Sequence, residues 1–180
     1  MMTLPLDATS RSEIELLISF VDLTEFAAFG RQATAHEVAD LLDGFYERVG
    51  KATENAGGHV VKFIGDAALM VFPMDRVDDG VLAIVDLRKE VNEWLSGSGH
   101  RCRLVVKAHV GTAIAGPYGA PGAKRFDVVG HAVNTAATVQ TRSLAITADT
   151  FRKLSPDTRK RFKKHTPPIT YIPSEDRRPG

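Results

Sequence analysis

Gly65 and Asp66 are all that separates one strand-like run, 59–64, from the next, 67–72. So short a connection leaves the two strands one arrangement, an antiparallel pair closed by a tight turn, for which glycine supplies the backbone freedom. Upstream, Gly57-Gly58 ends a helix that starts near Thr34. Thr34 and Glu37 have the spacing of a capping box, and Val38, Leu41, Leu42, Phe45, Val49 and Ala52 fall on one face of that helix. An apolar run over 16–21 precedes it and reads as a buried strand. Downstream, a second helix over about 75–95 turns Val77, Val81, Ile84, Val85, Val91, Trp94 and Leu95 inward and stops at Ser96-Gly97-Ser98-Gly99. A strand over 102–115 follows, in which Gly111 suggests a bend or a bulge. The order βαββαβ predicts an α+β fold, a ferredoxin-like sandwich with helices on one face of a mainly antiparallel sheet.

A C-terminal α/β extension completes the pattern. Residues 116–122 read as a loop or hairpin arm, 131–140 as a short helix, 144–147 as a strand, 149–154 as a helix and 169–172 as a last strand. Residues 1–12 and 174–180 are expected to be flexible tails around one folded domain, 13–173. With 180 residues, 43% apolar and 25% charged, the chain has ordinary soluble composition and enough length for a full core. A net charge of +1 gives no global attraction to nucleic acid or to a membrane surface. The single cysteine, Cys102, allows no intrachain disulfide and fits a reducing compartment. No apolar run approaches the ~18 residues of a membrane span, and residues 1–12 show no secretory pattern. Together these predict a cytoplasmic protein.

The chemistry concentrates at two aspartates. Asp22 follows the first strand and Asp66 sits at the hairpin tip. Alone, Asp22 reads as a helix cap and Asp66 as turn chemistry. Together, on rigid strand ends with one helix between them, they suggest a two-metal phosphoryl-transfer site, because Mg²⁺ takes few protein carboxylates and completes its shell with phosphate oxygens. Lys62 lies four residues before Asp66 on the incoming strand. The six histidines show no H-x-x-x-H spacing, and there is no phosphate-binding G-x-x-x-x-G-K-[ST] loop.

Three segments, in order, resemble the catalytic domain of the class III nucleotidyl cyclases. Phe20-Val21-Asp22-Leu23-Thr24-Glu25-Phe26 is similar to the family's first metal motif. Gly57-Gly58-His59-Val60-Val61-Lys62-Phe63-Ile64-Gly65-Asp66 is similar to its second metal and base-recognition motif. Phe126-Asp127-Val128-Val129-Gly130-His131-Ala132-Val133-Asn134-Thr135-Ala136-Ala137 is similar to its base and ribose segment. The resemblance implies that Asp22 and Asp66, with the Leu23 carbonyl, bridge two divalent cations, Mg²⁺ or Mn²⁺. It implies that Lys62 and Asp127 read the purine edge and that Asn134 holds the ribose. A lysine donor and an aspartate acceptor match adenine, so ATP is the implied substrate. It also implies a homodimer, with metal carboxylates from one copy and base- and ribose-binding residues from the other.

One position departs from the family. The arginine usual four residues after the asparagine is here Thr138, and Arg142 would share its face only if the helix continued. Arg142 is thus either a substitute or a solvated surface residue. Lys163, beside Lys164, lies near the family's phosphate-contacting lysine but also reads as plain surface charge. The reading implied is an adenylate cyclase. The alternatives are a catalytically weak cyclase-homology domain acting as a nucleotide-binding or regulatory module, and an unrelated ferredoxin-like interaction domain.

Overall fold

The computed structural model describes residues 4–6 and 9–176. Four strands carry the core: β1 (Ser12–Leu23), β2 (His59–Ile64), β3 (Ala67–Pro73) and β4 (Leu104–Tyr118). They lie in the order β2-β3-β1-β4 with every neighbour antiparallel. That is the arrangement two interleaved βαβ units produce. The crossovers are two 21-residue helices, α2 (Ala35–Asn55) and α3 (Val77–Gly97). A short helix, α1 (Phe26–Gly30), precedes α2, and β5 (Arg125–Val129) pairs only with the end of β4. Helix α4 (His131–Thr138) leads to β6 (Leu144–Thr147), parallel to β4. Two short helices, α5 (Ala148–Lys153) and α6 (Pro156–Arg159), then lead to β7 (Phe162–His165) and β8 (Thr170–Pro173). The full path is β2-β3-β1-β4-β6-β8-β7.

Strand alternation divides the core in two. Leu17, Val21, Met70 and Phe72 face α2 and α3, where Leu41, Phe45, Val49, Val81, Ile84 and Leu95 fill the main core. Leu16, Ile18, Leu69 and Val71 face the other way, under Val128 of β5 and Ala132 and Ala136 of α4. The expected one-sided arrangement therefore holds for the two long helices, while α4 takes the opposite face. Gly111 explains how. It forms neither bend nor bulge but pairs regularly with Leu16, and a Cβ there would lie 2.7 Å from Ala132 Cβ. Its missing side chain lets α4 sit directly on β4.

Local signals behave as expected at the start of α2, where Thr34 Oγ1 accepts from the Glu37 N–H at 3.2 Å and Glu37 accepts from the Thr34 N–H at 2.7 Å. Leu42 and Trp94, both expected inward, are half-buried, and Arg48 stacks on the Trp94 ring at 4.1 Å. Residues 177–180 of the expected C-terminal tail, and 1–3, 7 and 8 of the N-terminal one, lie outside the described residues. Ser174 to Asp176 are tied down: the Ser174 N–H donates to the Arg161 carbonyl at 2.8 Å, and Asp176 forms a 2.8 Å ion pair with the largely buried Arg88. Among the described residues, no helix is long and apolar enough to cross a membrane.

Candidate active site

The Gly65-Asp66 turn is as tight as its sequence suggests: Ile64 pairs with Ala67, and Gly65 adopts φ of +60°. Two contacts hold this tip. Tyr46 of α2 donates its hydroxyl to the Gly65 carbonyl at 2.6 Å, and the Leu23 N–H donates to the Asp66 carbonyl at 3.1 Å. The second contact ties the end of β1 to the hairpin and so sets Asp22 beside Asp66. Asp22 faces Ala67 on one neighbouring strand and Val105 on the other. Its pKa is raised, first by desolvation and then by the Asp66 charge, while Lys107 and the Leu23 N–H pull it down. Among the described residues no three His, Cys, Asp or Glu side chains form a metal cluster. The two carboxylates with the Leu23 carbonyl are instead an all-oxygen set of the kind that leaves positions for phosphate oxygens. Mg²⁺ or Mn²⁺ would fit such a set, and a cation there would offset the mutual repulsion of Asp22 and Asp66.

Lys62 reaches the opposite face from the helices because β2 carries a bulge. Val60 pairs with Met70, but Lys62, not Val61, pairs with Leu69. A regular ladder would set Lys62 opposite Ala68, under the helices. The extra residue flips it to the face of Leu69 and turns Phe63 the other way, to stack on Tyr46 with ring centroids 4.0 Å apart. On its face Lys62 meets β5: Nζ lies 2.6 Å from Asp127 Oδ2, with the two side chains 42% and 24% exposed. The other oxygen, Oδ1, accepts from the Val128 N–H at 2.8 Å, which fixes the carboxylate plane. His59, edge-on to Phe126 at 5.5 Å, packs the same two strands together. The structure thus brings Lys62 and Asp127, 65 residues apart, into one charge-assisted pair.

Asn134 lies midway along α4. Thr138, one turn on, donates its hydroxyl back to the Asn134 carbonyl at 2.9 Å, with the Thr135 carbonyl at 3.3 Å. The helix ends there. Val139 is extended, with ψ of 126°, because its side chain packs with Ala145 and Ile172. Arg142 therefore does not share a helix face with Asn134 and Thr138; it stands exposed on the loop before β6, beside a cavity lined also by Leu144, His165 and Ile172. Lys163 lies on β7, the far edge of the sheet, four strands from β1 and hence about 19 Å away at ordinary strand spacing. Its ammonium donates to the carbonyls of Ser174, at 3.0 Å, and Asp176. In this structure it tethers the C-terminal turn.

Two functional candidates escaped the sequence reading. Tyr46 looks like one more core aromatic of an amphipathic helix, and only the fold shows that it pins the hairpin tip. Lys107 had a visible signal, as the only charged residue in the strand run 104–110. It is half-buried on the same face as Asp22 and donates to the Ala137 carbonyl at 3.2 Å.

Known proteins resemble this chain in sequence and in fold. Residues 9–171 match the family model described as the adenylate and guanylate cyclase catalytic domain. The photoactivated adenylate cyclase subunit alpha of Euglena gracilis is 24% identical over 139 residues, 74% of this chain but 14% of that protein. An adenylate cyclase of Anabaena cylindrica is 23% identical over 143 residues, 75% of this chain and 28% of that protein. The chain thus spans less than a third of either relative. The crystal structure of the adenylyl cyclase CyaB from P. aeruginosa superposes with a TM-score of 0.79 at 17% identity, covering 94% of this chain and 98% of that one, a likeness of fold. With three ordered motifs, the βαββαβ core and a family match over nearly the whole length, the chain belongs to the adenylate and guanylate cyclase catalytic-domain family, the class III nucleotidyl cyclases.

Proposed function

We propose that the chain is an adenylate cyclase, converting ATP to 3′,5′-cyclic AMP and pyrophosphate at sites shared between two copies of itself. The choice of adenine rests on one observation, the Lys62–Asp127 pair. Adenine offers an acceptor at N1 and donors at N6. A lysine that donates and an aspartate that accepts, already side by side, match both. Guanine has the reverse polarity at these positions, and each polar match is worth ~1–3 kcal/mol of discrimination. A site whose polar groups one base satisfies leaves them unpaired against the other.

Two divalent cations, Mg²⁺ or Mn²⁺, held by Asp22, Asp66 and the Leu23 carbonyl, would lower the pKa of the ribose 3′-hydroxyl and offset charge on the leaving pyrophosphate. The protein's own work is placement. Asn134 orients the ribose so that the 3′-oxygen stands in line with the α-phosphorus. Tyr46 and the Leu23 N–H keep Asp66 at a fixed depth. In the twofold dimer, Asp22 and Asp66 of one copy face Lys62, Asp127 and Asn134 of the other, giving two equivalent sites.

Thr138 favours a second reading, a slow cyclase or a nucleotide-binding regulatory module. Its hydroxyl is spent on its own helix, and no cation on α4 faces the α-phosphate. The deciding experiment incubates purified protein with ATP or GTP and Mn²⁺ or Mg²⁺ and measures cyclic nucleotide. Metal-dependent cyclic AMP is the expected product. A preference for GTP would overturn the base reading, and nucleotide binding without turnover would favour the regulatory module.

A further inference from the structure

Lys107 is an unusual residue for its place. Strand β4 is buried over Leu104–Val110 except at this position. Lysine is kept out of such sheet interiors unless its charge has a use, since the ammonium must reach water or a partner. In the ladder Lys107 pairs with Phe20, and Asp22 pairs with Val105, so Lys107 and Asp22 are diagonal neighbours on one face. The ammonium can donate three hydrogen bonds. Among the described residues it makes one, to the carbonyl of Ala137 in the last turn of α4. That carbonyl is one of those a helix end leaves without an internal partner, and a cation there is favourable but replaceable by water. The Lys107 charge is felt at Asp22, where it opposes the effect of Asp66.

Two features of the site call for a cation here. Thr138 supplies none. Two carboxylates with two divalent cations also carry less positive charge than a nucleoside triphosphate carries negative. Lys107 belongs to the chain that supplies Asp22 and Asp66, so its ammonium borders the phosphates whatever the partner copy contributes.

We propose that Lys107 is a phosphate-binding residue, whose ammonium rests on the Ala137 carbonyl in this structure and turns to the triphosphate of a nucleotide held at Asp22 and Asp66. The inference rests on the cyclase reading above, and binding separates the two. The probe is 3′-deoxy-ATP with Mn²⁺, which lacks the attacking hydroxyl and cannot be cyclised, compared with 3′-deoxy-AMP by calorimetry. Lys107→Met keeps the unbranched stem and removes the charge. It should weaken 3′-deoxy-ATP by about 10- to 100-fold, the worth of a hydrogen bond to a charged group. It should leave 3′-deoxy-AMP and the melting temperature nearly unchanged, and Lys107→Arg should restore most of the loss. Equal weakening of both nucleotides, or none, would overturn the proposal and leave Lys107 as a cap of α4. If wild-type protein makes no cyclic AMP yet shows the triphosphate-selective loss, the lysine assignment stands and the cyclase reading falls. If it makes cyclic AMP and Lys107→Met binds both probes normally, the reverse holds. Failure of wild-type protein to bind 3′-deoxy-ATP would sink both.

Discussion

Replacing Asp22 by asparagine should abolish catalysis and make the metal-free protein more stable. Without a cation, the hairpin contacts hold Asp22 next to Asp66, and its pKa is raised by desolvation and by that charge. A carboxylate whose pKa is higher folded than unfolded binds protons more tightly when folded. Its ionisation therefore removes stability as pH rises from its ordinary value of 3.8 through the raised one. Once Asp22 is ionised that cost is present, and Asp22→Asn relieves it. Like charges a few ångströms apart in contact with water cost up to about 1 kcal/mol, whose relief for a domain of this size raises the melting temperature by up to about 4 °C. Metal should reverse the ranking. At one hundred times its dissociation constant, Mn²⁺ stabilises a specific site by ~2.7 kcal/mol, or about 5–10 °C, and the asparagine variant should lose most of that. The assay is a pair of melts with and without Mn²⁺ at pH 7, repeated below pH 4, where the metal-free difference should shrink. A variant that melts lower than wild type without metal, or keeps the full Mn²⁺ shift, would refute the placement of Asp22 as a strained metal ligand.

Mixing Asp22→Ala chains with Lys62→Ala chains should recover part of the cyclic AMP production, since one interfacial site of each mixed dimer is intact; dead mixtures with demonstrated subunit exchange would rule out a shared site. Lys62→Glu combined with Asp127→Ser should cut ATP turnover and raise GTP turnover relative to it, by about 10- to 100-fold per polar match reversed. An unchanged ratio of kcat/KM values would place base reading elsewhere. Thr138→Arg should raise kcat by up to ~10²-fold with little change in KM, because a guanidinium there acts mainly on charge that develops in the transition state. If Arg142→Ala instead lowers kcat sharply, the α-phosphate contact belongs to the loop after α4.

What the sequence revealed follows the range of the forces involved. The hairpin at Gly65-Asp66, the cap at Thr34 and the apolar faces of α2 and α3 depend on residues a few positions apart, and each formed where its pattern stood. The strand character of β5 and the bulge before Lys62 depend on partners far along the chain. Alternation along 59–64 gives no sign of an extra residue, and without it the face of Lys62 cannot be assigned. The end of α4 was hidden for a similar reason. Nothing in Thr138-Val139-Gln140 stops a helix, and Val139 leaves it because Ala145 and Ile172 offer its side chain a better place. The condition on which Arg142 would have joined Asn134 failed with it. Lys163, in a stretch read as surface charge or phosphate contact, spends its ammonium on carbonyls of the segment expected to be a free tail.

Because Lys62 and Asp127 hold each other at 2.6 Å, neither can be exchanged in isolation without leaving the other stranded. If the pair reads the base as proposed, a lineage drifting from one purine to the other would have to pass through a chain with a lone half-buried charge and a pocket that fits neither base. The two positions then behave as a single inherited letter, and the valley between its spellings is deeper than either residue alone would suggest.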